Sequence, residues 1–318
     1  MVVWLSEDAT RMTGRVQYDK HSNQLVGFVL PLASNGMPTP GKFPATSASA
    51  IEEFFQKEQP ASLIYVIMAQ PLQENAPTFC LLLFGTDNKF NYVHVRLRWR
   101  FIIEQLKLEG ISVLGVSSDG DPRLLKAMRL ESQLGKGNPS PSTSVDELPD
   151  GFQCVVDPEI ICIQDPIHIG AKLRVRLLKH SMLLPMGNFL ISSTFLKDLL
   201  TNFSKDKHCL NEKDLSLRDK MNYKSVEKIS DPRVCELLSK NVVGSDATVL
   251  YLRMIDLFMS AFSSKELSPT ERVYNVWYCV FVLRFWRFWL QKCPQYSVTD
   301  NFISLNTYIC IEINAHNL

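Results

Sequence analysis

The chain has 318 residues, of which 46% are hydrophobic and 21% charged, and its formal net charge is +1. This composition supports a buried core and excludes a chain disordered throughout, while the near-neutral charge means that nucleic acid contacts require a local basic patch. The eight cysteines show no CxxC spacing, which predicts free thiols in a reducing compartment. Glu7 and Asp8 interrupt the N-terminal apolar run, and no other apolar stretch is long enough for a membrane span.

The first 110 residues predict several strands and an amphipathic helix. An apolar run from Val2 to the acids Glu7 and Asp8 predicts the first strand, and residues 14–18 and 24–30 predict a hairpin. Proline-rich residues 31–46 predict a loop. The remaining predictions are a short helix at 49–56 capped by Ser49, strands at 62–68 and 79–84, and a helix at 91–108 that Gly110 ends.

The stretch ISVLGVSSDGD, residues 111–121, predicts a buried strand that ends in a turn with two acids. Pro122 then opens a helix, and Asp121 suits the N-cap because its carboxylate can accept unpaired backbone N–H groups. A carboxylate at the carboxyl end of a strand lies where open α/β sheets usually bind ligands. We therefore interpret Asp121 as a cap and Asp119 as a candidate site residue, although both acids being turn residues stays an alternative.

The pattern of strand, acid, proline and helix recurs further along the chain. Residues 160–164 predict a buried strand, Asp165-Pro166 follows, and a helix begins there, while residues 135–151 have the composition of a loop. From about Phe189 no strand is predicted, and helical patterns cover 190–203, 231–240, 247–262, 269–292 and 300–318. The aromatic residues of the helix at 269–292 are predicted to form the core of this helical lobe, with base stacking as an alternative: Trp277, Phe285, Trp286, Phe288 and Trp289.

The order of these elements predicts the fold class. Three early strands suggest an antiparallel meander, and the later alternation of strands and helices suggests parallel neighbours in one mixed sheet. This is the order of a ribonuclease H-like α/β fold, in which the first and fourth strands lie side by side, so Asp8 and Asp119 are expected to meet. Paired carboxylates suit Mg²⁺ or Mn²⁺, which can support phosphoryl transfer. Solvated strand-end acids are the alternative, and Glu7 or Asp121 could take either place.

The helix after Asp165 carries a basic face. Lys172, Arg176, Lys179 and His180 recur at helical spacing, opposite an apolar face of Ile169, Leu173 and Leu177. Such a face can contact nucleic acid phosphates, but it can equally be a solvated surface.

Several of these segments together resemble P-element-like (THAP-type) DDE/D transposases. The resemblance runs through SEDATRM, GRVQYDKHSNQLVGFVLPL, SSDGDPRLLKAM and QDPIHIGAKLRVRLL, and covers about the first 180 residues. It implies a ribonuclease H-like core at residues 1–185 and a helical insertion at 186–318. It further implies two-metal DNA cleavage and joining, DNA as partner, self-association and a nuclear location. Asp8 would be the first catalytic acid and Asp119 the second, and Lys172, Arg176 and Lys179 would bind DNA.

The sequence departs from the family in two places. The third acid, a glutamate on a helix after the insertion, has no clear counterpart, because Glu312 lies within an apolar helical pattern. The zinc-binding N-terminal DNA-binding domain is also not matched. We therefore expect a truncated or domesticated remnant, with enzymatic activity left open. A non-catalytic DNA- or protein-binding module, and an unrelated α/β protein whose acids are only caps, are the alternatives.

Overall fold

A computed structural model describes residues 1–132, 160–179 and 181–318, and these fall into two compact units. The described part of the first unit is residues 1–132 with 160–163, and that of the second is residues 164–179 with 181–318. The division into two compact units does not show where an inserted domain begins in the sequence. The predicted boundary at residue 185 therefore stays a prediction. The predicted loop at 135–151 and His180 of the basic face lie outside the described residues.

The strands of the first unit form a five-stranded mixed sheet with the order β5-β4-β1-β6-β7 and a separate hairpin, β2-β3. The strands are β1 (Val2–Arg11), β2 (Gln17–Asp19), β3 (Gln24–Val26), β4 (Leu63–Pro71), β5 (Phe79–Thr86), β6 (Ser112–Ser118) and β7 (Ile161–Gln164). β4 runs antiparallel to β1 and to β5, whereas β6 runs parallel to β1. The predicted ribonuclease H-like sheet is confirmed, since β1 and β6, the first and fourth strands of this sheet along the chain, are neighbours.

Three helices accompany this sheet, namely α1 (Ala48–Lys57), α2 (Tyr92–Leu108) and α3 (Pro122–Glu131). α2 buries Val95, Trp99 and Ile102 on one face, as the amphipathic pattern predicted. The predicted cap of α1 is wrong by two residues, because Ser47 occupies the extended N-cap position and its hydroxyl accepts the N–H of Ala50.

The second unit is mostly helical. Its helices are α4 (Pro166–Leu178), α5 (Thr194–Asn202), α6 (Lys205–His208), a 3₁₀ helix (Glu212–Leu215), α7 (Tyr223–Ser230), α8 (Pro232–Asn241), α9 (Asp246–Ser263), α10 (Pro269–Lys292), α11 (Val298–Asn301) and α12 (Leu305–Asn317). The prediction that no strand occurs from about Phe189 onward is wrong, because β9 (Phe189–Ile191) pairs with β8 (Leu184–Met186). Gly187 makes the turn at a φ of +60°, and three-residue apolar strands carry too little periodicity to be separated from a helix start.

The aromatic residues of α10 are not all core residues. Trp286 is buried and its indole N–H donates to the carbonyl of Pro185 at 2.7 Å. Phe285 is 71% exposed and Phe288 44% exposed, so the prediction that they form the core is wrong. The buried positions of α10 are filled mainly by smaller side chains, including Val276, Val280, Leu283 and Leu290.

Two features that composition addressed, the cysteines and membrane-spanning helices, can be compared with the structure. Seven of the cysteines lie in the described residues and all seven are free thiols. In the part of the chain that the structure describes, no helix has the length and apolar character needed to cross a membrane.

Candidate functional site

The pairing of β1 with β6 relates the chain positions of Asp8 and Asp119. The parallel register sets Ser6 opposite Ser117, and each acid lies two residues further along its chain. β6 ends at Ser118, so Asp119 is the first residue beyond that strand. The juxtaposition of strands on which the two-acid hypothesis depends is therefore present, while metal binding by the two acids stays a prediction.

Both carboxylates keep one oxygen available. One oxygen of Asp8 accepts the N–H of Ala9 at 2.7 Å, and one oxygen of Asp119 accepts the N–H of Asp121 at 3.0 Å. The second oxygen of each forms no hydrogen bond with another described residue. Asp8 is exposed and Asp119 is half-buried. Each acid therefore keeps one carboxylate oxygen that no described residue engages.

The turn that carries Asp119 also carries Asp121, which caps α3. Gly120 takes a φ of +82°, which L side chains rarely adopt, and it lets the chain turn from β6 into α3. Asp121 caps α3 by accepting the N–H of Arg123 at 2.8 Å, and it forms an ion pair with the same arginine at 2.6 Å. Burial raises the pKa of Asp121, but the hydrogen bonds and charge of Arg123 outweigh it and hold that pKa below its usual value. The predicted cap is confirmed.

Glu7 faces the opposite side of the sheet from Asp8, because successive side chains of a strand alternate. Its carboxylate is buried and accepts hydrogen bonds from the Tyr65 hydroxyl at 2.7 Å and the Trp99 indole at 2.8 Å. Arg98 lies 3.7 Å away. Burial raises the pKa of Glu7, and the charge of Arg98 opposes that effect. With Glu7 and Asp121 both engaged by protein groups, Asp8 and Asp119 are the pair with free oxygens.

The donor set of this pair fits a hard cation. Mg²⁺ prefers carboxylate oxygens and is commonly held by one or two carboxylates together with waters and substrate phosphates. Within residues 1–132, 160–179 and 181–318, no three His, Cys, Asp or Glu side chains cluster as a metal site. Glu312, the late candidate for a third acid, is buried and accepts two hydrogen bonds from Arg284, at 2.8 and 2.6 Å.

The basic face of α4 forms as the spacing predicted. Ile169, Leu173 and Leu177 are buried on one face, and Lys172, Arg176 and Lys179 lie on the other. Arg176 is partly used within the protein, because its guanidinium donates to the Asp300 carbonyl at 2.8 Å and contacts the Met182 sulfur. Asp165 caps α4 by accepting the N–H of Ile167 at 2.9 Å, as Asp121 caps α3.

The sequence analysis did not predict the roles of two basic residues, one within α4 and one far along the chain. Arg174 is fully buried and donates to the carbonyl groups of Asp214, Ser216 and Asp219, so it holds the chain around the 3₁₀ helix. The signal for the burial of Arg174 in the sequence was its position directly after Leu173, on the apolar face of α4. Lys220 lies far along the sequence, yet it lines the same cavity of about 370 Å³ as the basic face. No local spacing relates it to α4.

No protein-family model and no curated protein sequence matches this chain. Its structure is similar to the transposase in the Drosophila P element transposase strand transfer complex, with a TM-score of 0.62 and 11% sequence identity. The likeness covers 99% of this chain and 63% of that chain, so this chain spans less than two thirds of the transposase. Such a likeness shows that the chain has a transposase-like fold, as the sequence resemblance implied.

Proposed function

We propose that this chain derives from a DNA transposase, binds DNA, and holds a divalent metal ion between Asp8 and Asp119. The observation that supports the proposal is the parallel pairing of β1 and β6, in which Ser6 lies opposite Ser117 and each acid follows two residues later. The free oxygen on each acid, and the engagement of Glu7 and Asp121 elsewhere, support the choice of this pair. The transposase-like fold, and its similarity to a transposase in a strand transfer complex, support DNA as the substrate class.

The residues of this chain would contribute to phosphoryl transfer in distinct ways. Asp8 and Asp119 would bind Mg²⁺ or Mn²⁺, which when present supplies positive charge for the developing charge on a phosphoryl group. Gly120 and the Asx turn of Asp119 orient that carboxylate. Arg123 pairs with Asp121 at 2.6 Å, so the negative charge of Asp121 is balanced beside the two proposed ligands.

Calorimetric titration with Mg²⁺ and Mn²⁺ tests the metal site. We expect the wild type to bind and both Asp8→Asn and Asp119→Asn to lose binding, because each removes one ligand. Asp121→Asn is the matched control: it lies in the same turn and keeps an N-capping side chain, so it should still bind. Equal binding by all four proteins would contradict the site, as would a loss in Asp121→Asn matching that of the other two.

A second candidate function is a non-catalytic module that binds DNA or protein. The observation that favours it is the bidentate pair of Glu312 with Arg284, which leaves the late acid buried inside the helical unit. A labelled-DNA assay with Mn²⁺ separates the two functions. Strand cleavage or joining that Asp8→Asn abolishes supports the enzyme, whereas DNA binding without either reaction supports the module.

The same proposal includes a nuclear location and self-association, both of which the family resemblance implies. Imaging of the tagged protein in cells tests the first. Sedimentation velocity, with and without DNA, tests the second.

A further inference from the structure

The cavity beside α4 gathers cations from two separate segments of the second unit. Lys172 and Arg176 come from α4, Lys179 directly follows that helix, and Lys220 comes from the segment that precedes α7. The described residues that line the cavity include no aspartate and no glutamate. In the part of the chain that the structure describes, the three lysines form no ion pair. Gathered like charges repel each other, so an anion in the cavity would stabilise this arrangement.

The remaining wall of the cavity is mainly apolar. Val175 of α4, Met221 and Ile303 line it, the last from the segment before α12. Its volume of about 370 Å³ lies in the range of about 300–1,000 Å³ that is usual for small-molecule sites. A single phosphate on the lysines would leave the apolar wall uncovered. The cavity therefore suits a ligand with an apolar, flat part as well as negative charge.

The start of α12 borders the same cavity. Ser304 caps this 13-residue helix by accepting the N–H of Thr307 at 3.2 Å, and both side chains line the cavity. Backbone N–H groups and the helix dipole favour negative charge at such a position. The start of α12 thus adds to the attraction that the lysines exert on an anion.

We propose that this cavity binds an unpaired nucleotide of a DNA strand. The base lies against the apolar wall, and the neighbouring phosphates contact Lys172, Lys179 and Lys220. The inference rests on the proposed DNA binding and narrows the substrate to DNA with at least one unpaired nucleotide. In an intact duplex the bases are stacked inside, so a base reaches the wall of the cavity only after it leaves the stack.

The test compares one fluorescent oligonucleotide as a single strand and as a duplex, by anisotropy at several salt concentrations. We expect the wild type to bind the single strand more tightly. Lys172→Gln and Lys220→Gln should each weaken that binding and reduce its logarithmic salt slope by about 0.7, the value for one lost phosphate contact. Lys265→Gln is the matched control, because this exposed lysine forms no ion pair with the described residues and does not line the cavity.

A second variant tests the apolar wall. Met221 is 44% exposed, so Met221→Asp should leave the fold intact. A charge on the wall opposes contact with a base, and we expect a roughly tenfold or greater loss of single-strand affinity with duplex affinity unchanged. A strand of the same length that is abasic at every position should bind the wild type as weakly as the intact strand binds the variant.

The outcomes separate this inference from the broader proposal. If the wild type prefers duplex, or if both lysine variants bind like Lys265→Gln, the cavity site is wrong while DNA binding stands. If neither DNA form binds, both proposals are wrong. Binding of inorganic phosphate that Lys172→Gln removes, without binding of either DNA form, also overturns the nucleotide site.

Discussion

Each unit buries one glutamate near an arginine, and the two arrangements differ. In the second unit, Nε and Nη2 of Arg284 donate to the two oxygens of Glu312 at 2.8 and 2.6 Å. In the first unit, Arg98 lies 3.7 Å from Glu7 and donates instead to the Tyr65 hydroxyl at 2.9 Å, which in turn donates to Glu7. Glu312 thus has a direct bidentate counter-charge, whereas neutral donors satisfy most of the Glu7 carboxylate.

The difference shows how burial can serve two purposes. A direct pair compensates both charges, and loss of either partner leaves the other uncompensated in a dry environment. A network of neutral donors instead ties several elements together. Glu7 on β1 is bonded to Tyr65 on β4 and Trp99 on α2, so the network fixes the strand on which Asp8 is the next residue. The first arrangement compensates two charges inside the helical unit, and the second positions a candidate site residue.

The largest expected effect is the loss of one partner of the direct pair. Arg284→Met should lower the free energy of unfolding by about 3–5 kcal/mol, because Glu312 is then buried without its counter-charge. Urea denaturation followed by circular dichroism measures the change. Lys240→Gln is the control, since Lys240 pairs with Glu236 on the surface of α8 and should show no measurable effect.

A double variant sharpens the same comparison. Arg284→Met with Glu312→Leu removes both charges, and we expect it to recover most of the stability lost by Arg284→Met alone. If the single variant costs no more than Lys240→Gln, the pair is not a major source of stability and the contrast with Glu7 fails.

The next largest effect concerns Glu7. Glu7→Gln should lower the free energy of unfolding by about 1–3 kcal/mol at acidic pH, because a network of buried hydrogen bonds loses its acceptor geometry. The pKa of Glu7 is raised by burial in the folded protein above its usual value of 4.5. The folded state therefore binds the proton more tightly, and wild-type stability falls as the pH rises through the raised pKa. Glutamine does not titrate, so the deficit of the variant should shrink with increasing pH.

Denaturation curves at a series of pH values measure this dependence. Glu52→Gln, at an exposed position of α1, provides a control whose difference from the wild type should not follow the titration of Glu7. A deficit of Glu7→Gln that is constant over the whole series would show that the pKa of Glu7 is not raised.

The sequence predicted the strands of the sheet and the Asp121 cap of α3 because these depend on local signals, although it missed the cap of α1 by two residues. Apolar runs and Gly and Pro positions predicted the order of strands and helices, and the match of that order to the ribonuclease H-like arrangement predicted that β1 and β6 are neighbours. These signals did not show which of Glu7 and Asp8 is the candidate site residue, since either acid suits a strand end. The partners that bury Glu7 lie 58 and 92 residues away, at Tyr65 and Trp99, and only the folded register reveals them.

The failures in the second unit have a similar origin. The alternating residues of β9 number only three, too few to differ from the start of a helix. Phe285 and Phe288 were assigned to the core by residue type, but α10 carries aromatic residues around much of its circumference and only part of it is covered. Lys220 joins the basic face of α4 through tertiary structure alone.

A smaller effect is expected at a motif that both units share. Asp121-Pro122-Arg123 and Asp231-Pro232-Arg233 each begin a helix, with the aspartate capping it and pairing with the arginine at 2.6 Å. Asp121→Ala should cost about 1 kcal/mol, as is usual for loss of an N-cap. Asp121→Asn retains a capping oxygen and is the control. Urea denaturation of the two variants measures the cap, and equal losses would show that the ion pair with Arg123 dominates.

The smallest expected effect is at Asp8, the neighbour of Glu7. Asp8→Asn should not reduce stability measurably, because the side chain is exposed and an amide oxygen can still accept the N–H of Ala9. Mg²⁺ should raise the melting temperature of the wild type by binding the folded state, and should not raise that of Asp8→Asn. Thermal denaturation with and without Mg²⁺ checks both expectations. A loss of stability as large as that of Glu7→Gln would mean that Asp8 supports the fold, and that its exposed oxygen is not kept for a ligand.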